Sequence, residues 1–252
     1  MQASSHMSRP YLVILCRSPI FMLYVFKLFS PCASLAIALQ PFLSPSGQVL
    51  VFNMANNTSD GTNSKRLQRD WIFVGISGVT NGGKTQLTEY LMHRFPGSVM
   101  INQDTFFWPE HDPNHVMVAE VNHANWEAVS SIDWDRLLDA INTMTSQPPK
   151  DEPFFFVEGH IIFNHPKLVQ LFRRKYFFTL TEEECYNRRR YRTYDPPDPP
   201  GYYDVVVWPM YLKNKEEMER SVKDVIYLDG AANQEETHKA VGDELQKLLV
   251  EF

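Results

Sequence analysis

The order of apolar and polar positions along the chain predicts short strands that alternate with helices. Five brief runs of apolar and β-branched residues are bounded by turn residues and predict buried strands, at 71–77, 99–101, 154–157, 176–180 and 225–228. Apolar residues at helical spacing predict helices between and after these strands, at 84–95, 133–145, 181–192, 205–222 and 235–250. Because strands that alternate with helices form parallel sheets, the pattern predicts an α/β fold with a five-stranded parallel sheet and helices on both faces.

Local features refine this pattern. Thr181 and Glu184 form a capping-box pattern that starts the third helix. The fourth helix is expected to be interrupted near Pro209. Residues 107–124 are polar and predict a loop or flap. Residues 195–203 read DPPDPPGYY, which excludes regular structure because proline fixes φ and lacks an amide proton.

The first seventy residues differ from the rest of the chain in charge. Residues 1–53 hold three basic residues and no acidic one, whereas residues 54–252 hold 21 basic and all 30 acidic residues. Arg, Lys and Pro break the apolar stretch within 1–53, and a membrane-spanning helix needs about 20 apolar residues. Residues 1–70 are therefore interpreted as an extension and linker, either an over-extended start or a targeting or anchoring segment, and the folded domain is expected at 71–252.

Composition excludes several classes of protein. Hydrophobic residues make up 44% of the chain and aromatic residues 13%, which is enough for a sizeable core and excludes global disorder. The net charge of −6 argues against a nucleic-acid binder. The three cysteines lack metal-ligand spacing and indicate a reducing compartment. We therefore expect a cytoplasmic protein, and we expect that residues 54–252 do not contact a membrane. A targeting role of residues 1–53 would instead indicate a mitochondrion or a membrane.

A glycine-rich segment after the first predicted strand carries the chemistry of phosphate binding. Residues 78–85, GVTNGGKT, fit G-x-x-x-x-G-K-[ST] and lie between a predicted strand and a predicted helix, the context that this motif requires. Glycines let backbone N–H groups turn onto phosphate oxygens, and the following helix adds its positive N-terminal end. Lys84 is expected to reach the β- and γ-phosphates, and the Thr85 hydroxyl to hold Mg²⁺. The alternative is a glycine-rich turn that binds nothing.

Two acids and a basic helix are expected beside this loop. Asp104 follows the second predicted strand and Glu158 the third, and the carboxyl ends of parallel strands face one crevice. One acid is expected to accept a substrate hydroxyl proton and the other to order magnesium-bound water, although acids at strand ends also serve as caps. Four arginines share one helix, and two of them are expected to reach the site rather than form a solvated basic face: Arg188, Arg189, Arg190 and Arg192.

Aromatic residues in the predicted loops indicate a flat aromatic ligand, with core packing as the competing interpretation. They are Phe106, Phe107, Trp108, Trp126, Tyr194, Tyr202 and Tyr203. His111, His115 and His123 lie in a polar loop without cysteine, so their spacing does not predict a zinc site.

Several segments together resemble nicotinamide riboside kinases, from about Ile72 to the carboxyl terminus. They are GISGVTNGGKT (75–85), QDTFF (103–107), VEGHIIFN (157–164), EECYNRRRYRTYDPPDPPGYYD (183–204), VWPMYLK (207–213) and YLDG (227–230). The resemblance implies a P-loop NTPase fold with a lid segment. It also implies phosphoryl transfer from ATP, with Mg²⁺, to the 5′-hydroxyl of nicotinamide riboside, which gives nicotinamide mononucleotide for NAD salvage. A uridine or cytidine kinase of the same fold and a non-catalytic nucleotide-binding regulatory protein are the alternatives.

The resemblance also implies roles for individual residues. Asp104 corresponds to the general base and, with Thr85, to the magnesium ligands, while Lys84 and Glu158 correspond to further catalytic residues. ATP contacts are implied for Gly78, Val79, Thr80, Asn81, Gly82, Gly83, Lys84, Thr85, Gln86, Arg188, Arg192, Thr193 and Tyr194. Substrate contacts are implied for Asp104, Thr105, Phe106, Phe107, Trp126, Glu127, Arg189, Tyr194 and Asp195. The chain departs from the family at Thr105, where Asp is usual, at the pair Trp126-Glu127, where Tyr-Asp is usual, and at Asp195, where Gln is common. These departures concern nucleoside selectivity more than the reaction.

Overall fold

A computed structural model describes residues 12–14, 24–26 and 70–252. The chain divides into two units, Met1–Thr58 and Ser59–Phe252. In the first unit, strand β1 (Leu12–Ile14) pairs antiparallel with strand β2 (Tyr24–Phe26). Most of the extension predicted for residues 1–70 lies outside the described residues, so its nature stays a prediction.

The second unit alternates strands with helices. Its strands are β3 (Ile72–Gly78), β4 (Val99–Asn102), β5 (Met117–Val118), β6 (His123–Ala124), β7 (Phe154–Glu158), β8 (Arg174–Thr179) and β9 (Val225–Asp229). Its helices are α1 (Lys84–Arg94), α2 (Trp134–Met144), α3 (Pro166–Val169), α4 (Glu182–Arg189), α5 (Trp208–Ser221) and α6 (Gln234–Glu251). No helix among the described residues is long and apolar enough to cross a bilayer.

Five of the strands form one parallel sheet in the order β4–β7–β3–β8–β9. At its centre, Val74 of β3 lies between Phe156 of β7 and Arg174 of β8. Every residue of β3 and β7 is buried, as expected for parallel strands that are covered on both faces. The predicted α/β class and five-stranded parallel sheet are confirmed.

Helices cover both faces of this sheet. Side chains alternate between the two faces along each strand, so neighbouring residues pack against different helices. Phe154 of β7 lies in one buried cluster with Leu87 of α1 and Val241 of α6. Its neighbour Phe155 lies in a second cluster with Leu137 of α2, to which α5 also contributes. The predicted position of helices on both faces is confirmed.

Three segments differ from the predicted elements. The predicted loop 107–124 contains the antiparallel pair β5–β6, whose strands of two residues are too short to give an alternating pattern. The helix predicted to reach residue 192 ends at Arg189, before the proline-rich segment. In place of one interrupted helix, a π-helical turn, Tyr203–Val207, leads into α5. Pro209 is the second residue of α5 and does not interrupt the helix.

Candidate active site

The segments that follow β3, β4 and β7 meet at the carboxyl edge of the sheet. Glu158, at the end of β7, is paired with Asn102 of β4 on one side and with Ile76 of β3 on the other. The phosphate loop 78–85 follows β3, and Asp104 lies in the 3₁₀ turn after β4. The structure therefore brings together the loop and the two acids that were predicted to share this edge.

The phosphate loop lies close against β8, and two of its carbonyl groups accept hydrogen bonds from Lys84. Gly78 has a φ of +120°, and a Cβ atom at this position would lie 2.2 Å from the carbonyl oxygen of Phe178. The Lys84 ammonium donates hydrogen bonds to the carbonyl oxygens of Gly78 and Val79, at 3.1 and 2.8 Å. Burial lowers the pKa of Lys84, and nearby carboxylates oppose this shift. A partly buried ammonium at a helix N-terminus favours an anionic ligand. The strand–loop–helix unit at the centre of the five-stranded parallel sheet is that of the P-loop NTPase fold.

The two predicted acids have different surroundings. Glu158 is 3% exposed, and its Oε1 accepts a 2.7 Å hydrogen bond from the Thr85 hydroxyl. Burial raises the pKa of Glu158, while the Thr85 hydrogen bond and the Lys84 charge oppose that shift. The Asp104 side chain is 65% exposed. A buried carboxylate is suited to orient a neighbouring group, whereas an exposed one can reach a bound substrate.

Side-chain oxygen atoms of Thr85, Asp104 and Glu158 lie at this edge of the sheet. Glu158 Oε2 is buried and has no hydrogen-bond partner among the described residues, which fits a position that a ligand completes. The hydroxyl of Thr85 and the carboxylates of Asp104 and Glu158 are the hard donors that Mg²⁺ prefers, in sites that substrate phosphates and water complete. Among residues 12–14, 24–26 and 70–252, no group of three or more His, Cys, Asp or Glu side chains could hold a metal ion.

The end of α4 and the segment that follows it lie against the phosphate loop. Residues 188–203 are called the lid below. Arg189 is 7% exposed and forms an ion pair with Asp198 at 2.8 Å. Its guanidinium carbon lies 4.0 Å from the centre of the Tyr194 ring, a cation–π geometry. Arg189 also donates a 3.1 Å hydrogen bond to the Thr80 hydroxyl. This arginine therefore joins three parts of the site: the start of the lid, its proline-rich part and the loop.

Two further arginines of the lid contact Asn81 of the phosphate loop. Arg188 donates to the Asn81 carbonyl oxygen at 3.1 Å, and Arg192 donates to Asn81 Oδ1 at 2.8 Å. Arg190 instead donates to the hydroxyl of its neighbour Tyr191. Three of the four clustered arginines thus contact the loop, where two were expected.

A largely covered carboxylate, 14% exposed, lies on the other side of Arg189. Glu127 Oε1 is 4.0 Å from Arg189 Nη1, and Glu127 Oε2 is 3.5 Å from His160 Nε2. Burial raises the pKa of Glu127, and the charges of Arg189 and Lys84 oppose the shift. Burial also lowers the pKa of His160 to about 4, so this imidazole is neutral at neutral pH. Glu127 and His160 line one cavity together with Thr80 of the loop.

Aromatic side chains form the wall of the site next to Glu127. The Phe107 and Trp126 rings meet edge to face, with centroids 5.2 Å apart. The His115 ring lies 4.4 Å from Trp126 on the flap between β4 and α2. Phe106 belongs instead to the buried core cluster, and the Arg136 guanidinium lies over its ring.

Comparison with known proteins identifies the family. No family model matches the chain. Nicotinamide riboside kinase 2 from Homo sapiens is 37% identical over 193 residues, which cover 71% of this chain and 83% of that protein. Nicotinamide riboside kinase 1 from Rattus norvegicus is 35% identical over 187 residues, which cover 70% of this chain and 94% of that protein.

The chain belongs to the nicotinamide riboside kinase family. A uridine kinase from Streptococcus thermophilus is 25% identical over 191 residues, which cover 64% of this chain and 88% of that protein. Among solved structures, a gluconokinase from Sinorhizobium meliloti 1021 aligns with a TM-score of 0.45 at 16% identity, covering 72% of this chain and 95% of the other.

The remaining predicted positions of this nicotinamide riboside kinase family member lie at the margin of the site. Thr105 is exposed, and its carbonyl oxygen accepts a 2.7 Å hydrogen bond from Arg136 of α2. Gln86 of α1 and Thr193 and Asp195 of the lid are also exposed. The structure therefore does not bring these side chains into the buried centre where Arg189 and Glu127 lie.

Three residues at the site are not singled out by the sequence pattern of this family member. His160 lies two positions after the end of β7, and Gln103 lies directly after the end of β4. Their positions after strands that end at this edge of the sheet could have indicated both residues. Asp198 lies in the proline-rich run, where two acids among four prolines give no helical or strand periodicity. Its partner Arg189 becomes evident only from the folded contact.

Proposed function

We propose that this protein transfers the γ-phosphoryl group of ATP to the 5′-hydroxyl of nicotinamide riboside and so forms nicotinamide mononucleotide, a reaction of NAD salvage. The observation that carries the proposal is the identity of 35–37% with nicotinamide riboside kinases over most of their length. The P-loop supports ATP as the phosphoryl donor.

In this proposal Lys84 and Asp104 act on opposite sides of the transferred group. The loop residues 78–86 hold the triphosphate through backbone N–H groups, and the Lys84 ammonium exchanges its carbonyl partners for phosphate oxygens, which are stronger acceptors. Asp104 accepts the proton of the substrate 5′-hydroxyl as general base, a role that its exposed carboxylate supports.

We infer that Thr85 and Asp104 would hold Mg²⁺, with Glu158 beside them. The Thr85 hydroxyl donates its proton to Glu158 at 2.7 Å, which leaves its lone pairs available for a cation. When bound, Mg²⁺ supplies positive charge that offsets the charge of the phosphates. Glu158 keeps the hydroxyl in this orientation, which is its catalytic role in the proposal.

The lid contributes further cationic and aromatic contacts to ATP. We assign them to Arg188, Arg192, Thr193 and Tyr194. The hydrogen bonds from Arg188 and Arg192 to Asn81 support positions beside the loop that would hold the phosphates. Guanidinium groups there stabilise the charge that develops on the transferred phosphoryl group.

The nucleoside is proposed to lie between the aromatic wall and the lid. Nicotinamide riboside carries a cationic pyridinium ring, and the faces of Trp126 and Tyr194 attract such a cation. Glu127 accepts hydrogen bonds from the ribose hydroxyls, and the guanidinium of Arg189, 4.0 Å away, favours its ionised form. The other proposed substrate contacts are Asp104, Thr105, Phe106, Phe107, Arg189 and Asp195.

Steady-state kinetics with ATP, Mg²⁺ and a panel of nicotinamide riboside, uridine and cytidine tests this proposal. We expect the highest kcat/KM for nicotinamide riboside. A higher kcat/KM for uridine would instead indicate a pyrimidine nucleoside kinase, and the 25% identity with a uridine kinase makes that the second candidate. ATP binding without turnover of any nucleoside would indicate a regulatory protein. The Asp104→Asn variant, prepared in parallel, excludes a contaminating kinase if its turnover is strongly reduced.

We also propose that residues 71–252 form the kinase domain and that residues 1–70 are an extension and linker. All the side chains assigned above lie between residues 78 and 198. The cytoplasm is the proposed compartment for residues 54–252, because their single cysteine, Cys185, has no second cysteine in this segment for a disulfide or a metal site.

A further inference from the structure

His160 occupies a central position that the reaction described above does not use. Its side chain is 16% exposed and lies between two carboxylates, with Nδ1 4.0 Å from Asp104 Oδ1 and Nε2 3.5 Å from Glu127 Oε2. The His160 ring lies nearly parallel to the Phe107 ring, at 27° and 6.0 Å. Its carbonyl oxygen accepts a 3.1 Å hydrogen bond from the Ser77 hydroxyl, which holds the backbone at the end of β3.

Hydrogen bonds from Gln103 determine where the imidazole carries its proton. Gln103 Oε1 accepts a 3.1 Å hydrogen bond from the Ile161 backbone N–H, so the other end of the amide, Nε2, faces His160 Nδ1 at 3.0 Å. An amide nitrogen only donates, and Nδ1 must therefore accept. A neutral imidazole has one proton, which must then be on Nε2.

The Gln103 side chain has little freedom to take another orientation. It is fully buried, and a Cβ atom at Gly159 would lie 2.5 Å from Gln103 Oε1. The backbone of β7 and its following loop therefore pack directly on the amide. This packing fixes the tautomer of His160 through the fold rather than through solvent.

The Nε2 atom of His160 lies beside the Glu127 carboxylate. This atom is buried and has no hydrogen-bond partner among the described residues. Glu127 Oε2 lies 3.5 Å from it, and a backbone contact with Trp126 opposes the lowering of the His160 pKa. The Glu127 side chain is only 14% exposed, so donors beside its oxygens stabilise its charged form, and Arg189 lies 4.0 Å from the other oxygen. His160 and Arg189 thus flank the same carboxylate.

We propose that His160 is a positioning residue for ribose recognition: held by Gln103, it donates to Glu127 and keeps that carboxylate ionised and oriented toward the ribose hydroxyls. This inference rests on the proposed function, because it concerns the nucleoside that Glu127 is proposed to bind. It assigns selectivity for ribosides over deoxyribosides in part to a side chain that does not itself touch the sugar.

Kinetics of full-length His160 variants test the inference. His160→Phe keeps an aromatic ring but removes the donor, and His160→Gln returns an amide donor near the position of Nε2. For His160→Phe we expect KM for the riboside to rise about tenfold or more, since hydrogen bonds to charged groups are among the stronger ones. The kcat/KM ratio of riboside to 2′-deoxyriboside should fall by a similar factor, whereas KM for ATP should stay within about twofold. His160→Gln should recover most of that ratio.

A double-mutant cycle with Glu127→Ala separates positioning from packing. In the Glu127→Ala background, His160→Phe should change the riboside to deoxyriboside ratio by less than about twofold, because the group on which it acts is gone. An undiminished effect in that background, or equal losses for riboside and deoxyriboside, would overturn the inference. If His160→Phe fails to fold, Gln103→Met tests the same relay from its other end, and an unchanged ratio there would also overturn it.

The same measurements distinguish this inference from the proposed function. A wild-type protein that does not phosphorylate nicotinamide riboside contradicts the proposed function. If it accepts uridine instead, the ratio of kcat/KM for uridine to kcat/KM for 2′-deoxyuridine is measured in every variant in place of the ratio for the nicotinamide ribosides. A wild-type protein that accepts nicotinamide riboside, with His160 variants that leave the ratio unchanged, contradicts the inference alone.

Discussion

Asn81 connects the phosphate loop with the lid, and its replacement separates two physical effects. Its φ of +59° lies in the left-handed region. Asn and Gly adopt this region more readily than Ala and other residues with apolar side chains. Its Oδ1 accepts a 2.8 Å hydrogen bond from Arg192, and its Nδ2 lies 3.4 Å from the Tyr194 hydroxyl. Asn81→Gly keeps the backbone conformation and removes these side-chain contacts. Asn81→Ala removes the same contacts and adds backbone strain.

The expected sizes of the two effects follow from these contacts. The Arg192 hydrogen bond is solvent-exposed and the Tyr194 contact is long, so together they contribute about 1 kcal/mol, or roughly fivefold in an equilibrium constant. Left-handed Ala costs about 1–2 kcal/mol, of which about 0.4–1 kcal/mol is offset by the smaller entropy of its unfolded chain relative to Gly. The Ala variant should therefore be about 1 kcal/mol less stable than the Gly variant, about 2–4 °C in Tm.

Two assays separate these effects. Steady-state kinetics should give a KM for ATP that is raised about fivefold and equally in both variants, because both lose the same lid contacts. Thermal unfolding without nucleotide should give a lower Tm for Asn81→Ala than for Asn81→Gly. Wild-type KM values for ATP in both variants would refute the contribution of the side-chain contacts to ATP binding. Equal melting temperatures would refute the left-handed conformation of residue 81.

Further expected outcomes concern the chemistry, the loop, the core and the extension. Asp104→Asn should lower kcat by about 10²–10⁴ with ATP binding retained, measured by kinetics and by titration with a fluorescent ATP analogue; near-normal turnover would remove this residue from the role of general base. Gly78→Ala places a Cβ atom 2.2 Å from a carbonyl oxygen of β8, so the variant should fail to give a cooperative melting transition, and a wild-type Tm would contradict the close approach of loop and strand. Tyr176→Phe loses a 2.8 Å hydrogen bond to Glu244 and should lower Tm by about 3–6 °C with unchanged kinetics, which calorimetry and a kinetic assay can check. A chain of residues 54–252 should match the full chain in kcat and Tm, and loss of its cooperative transition would show that the preceding residues belong to the fold.

The central sheet and the phosphate loop could be predicted from the sequence because their signals are local. A strand that is covered on both faces is a short continuous apolar run, which the sequence shows directly. A helix that covers the sheet has apolar residues at helical spacing, which the sequence shows as well. The segment 78–85 contains its own glycines, lysine and threonine at fixed spacing. Asp104 and Glu158 could be predicted at one edge because the carboxyl ends of parallel strands meet there.

Contacts between distant segments were decided only by the tertiary structure. Gln103 and His160 are 57 residues apart and face each other because β4 and β7 are neighbours in the sheet. No periodic pattern contains that information, since strand order depends on how the whole chain packs. The aromatic pair at 106 and 107 illustrates the same limit. The sequence indicated an aromatic wall, but the 3₁₀ turn after β4 ends with Phe106 in the core, whereas Phe107 meets Trp126. Local sequence thus determined which chemistry this protein carries, and long-range packing determined which side chains share the site.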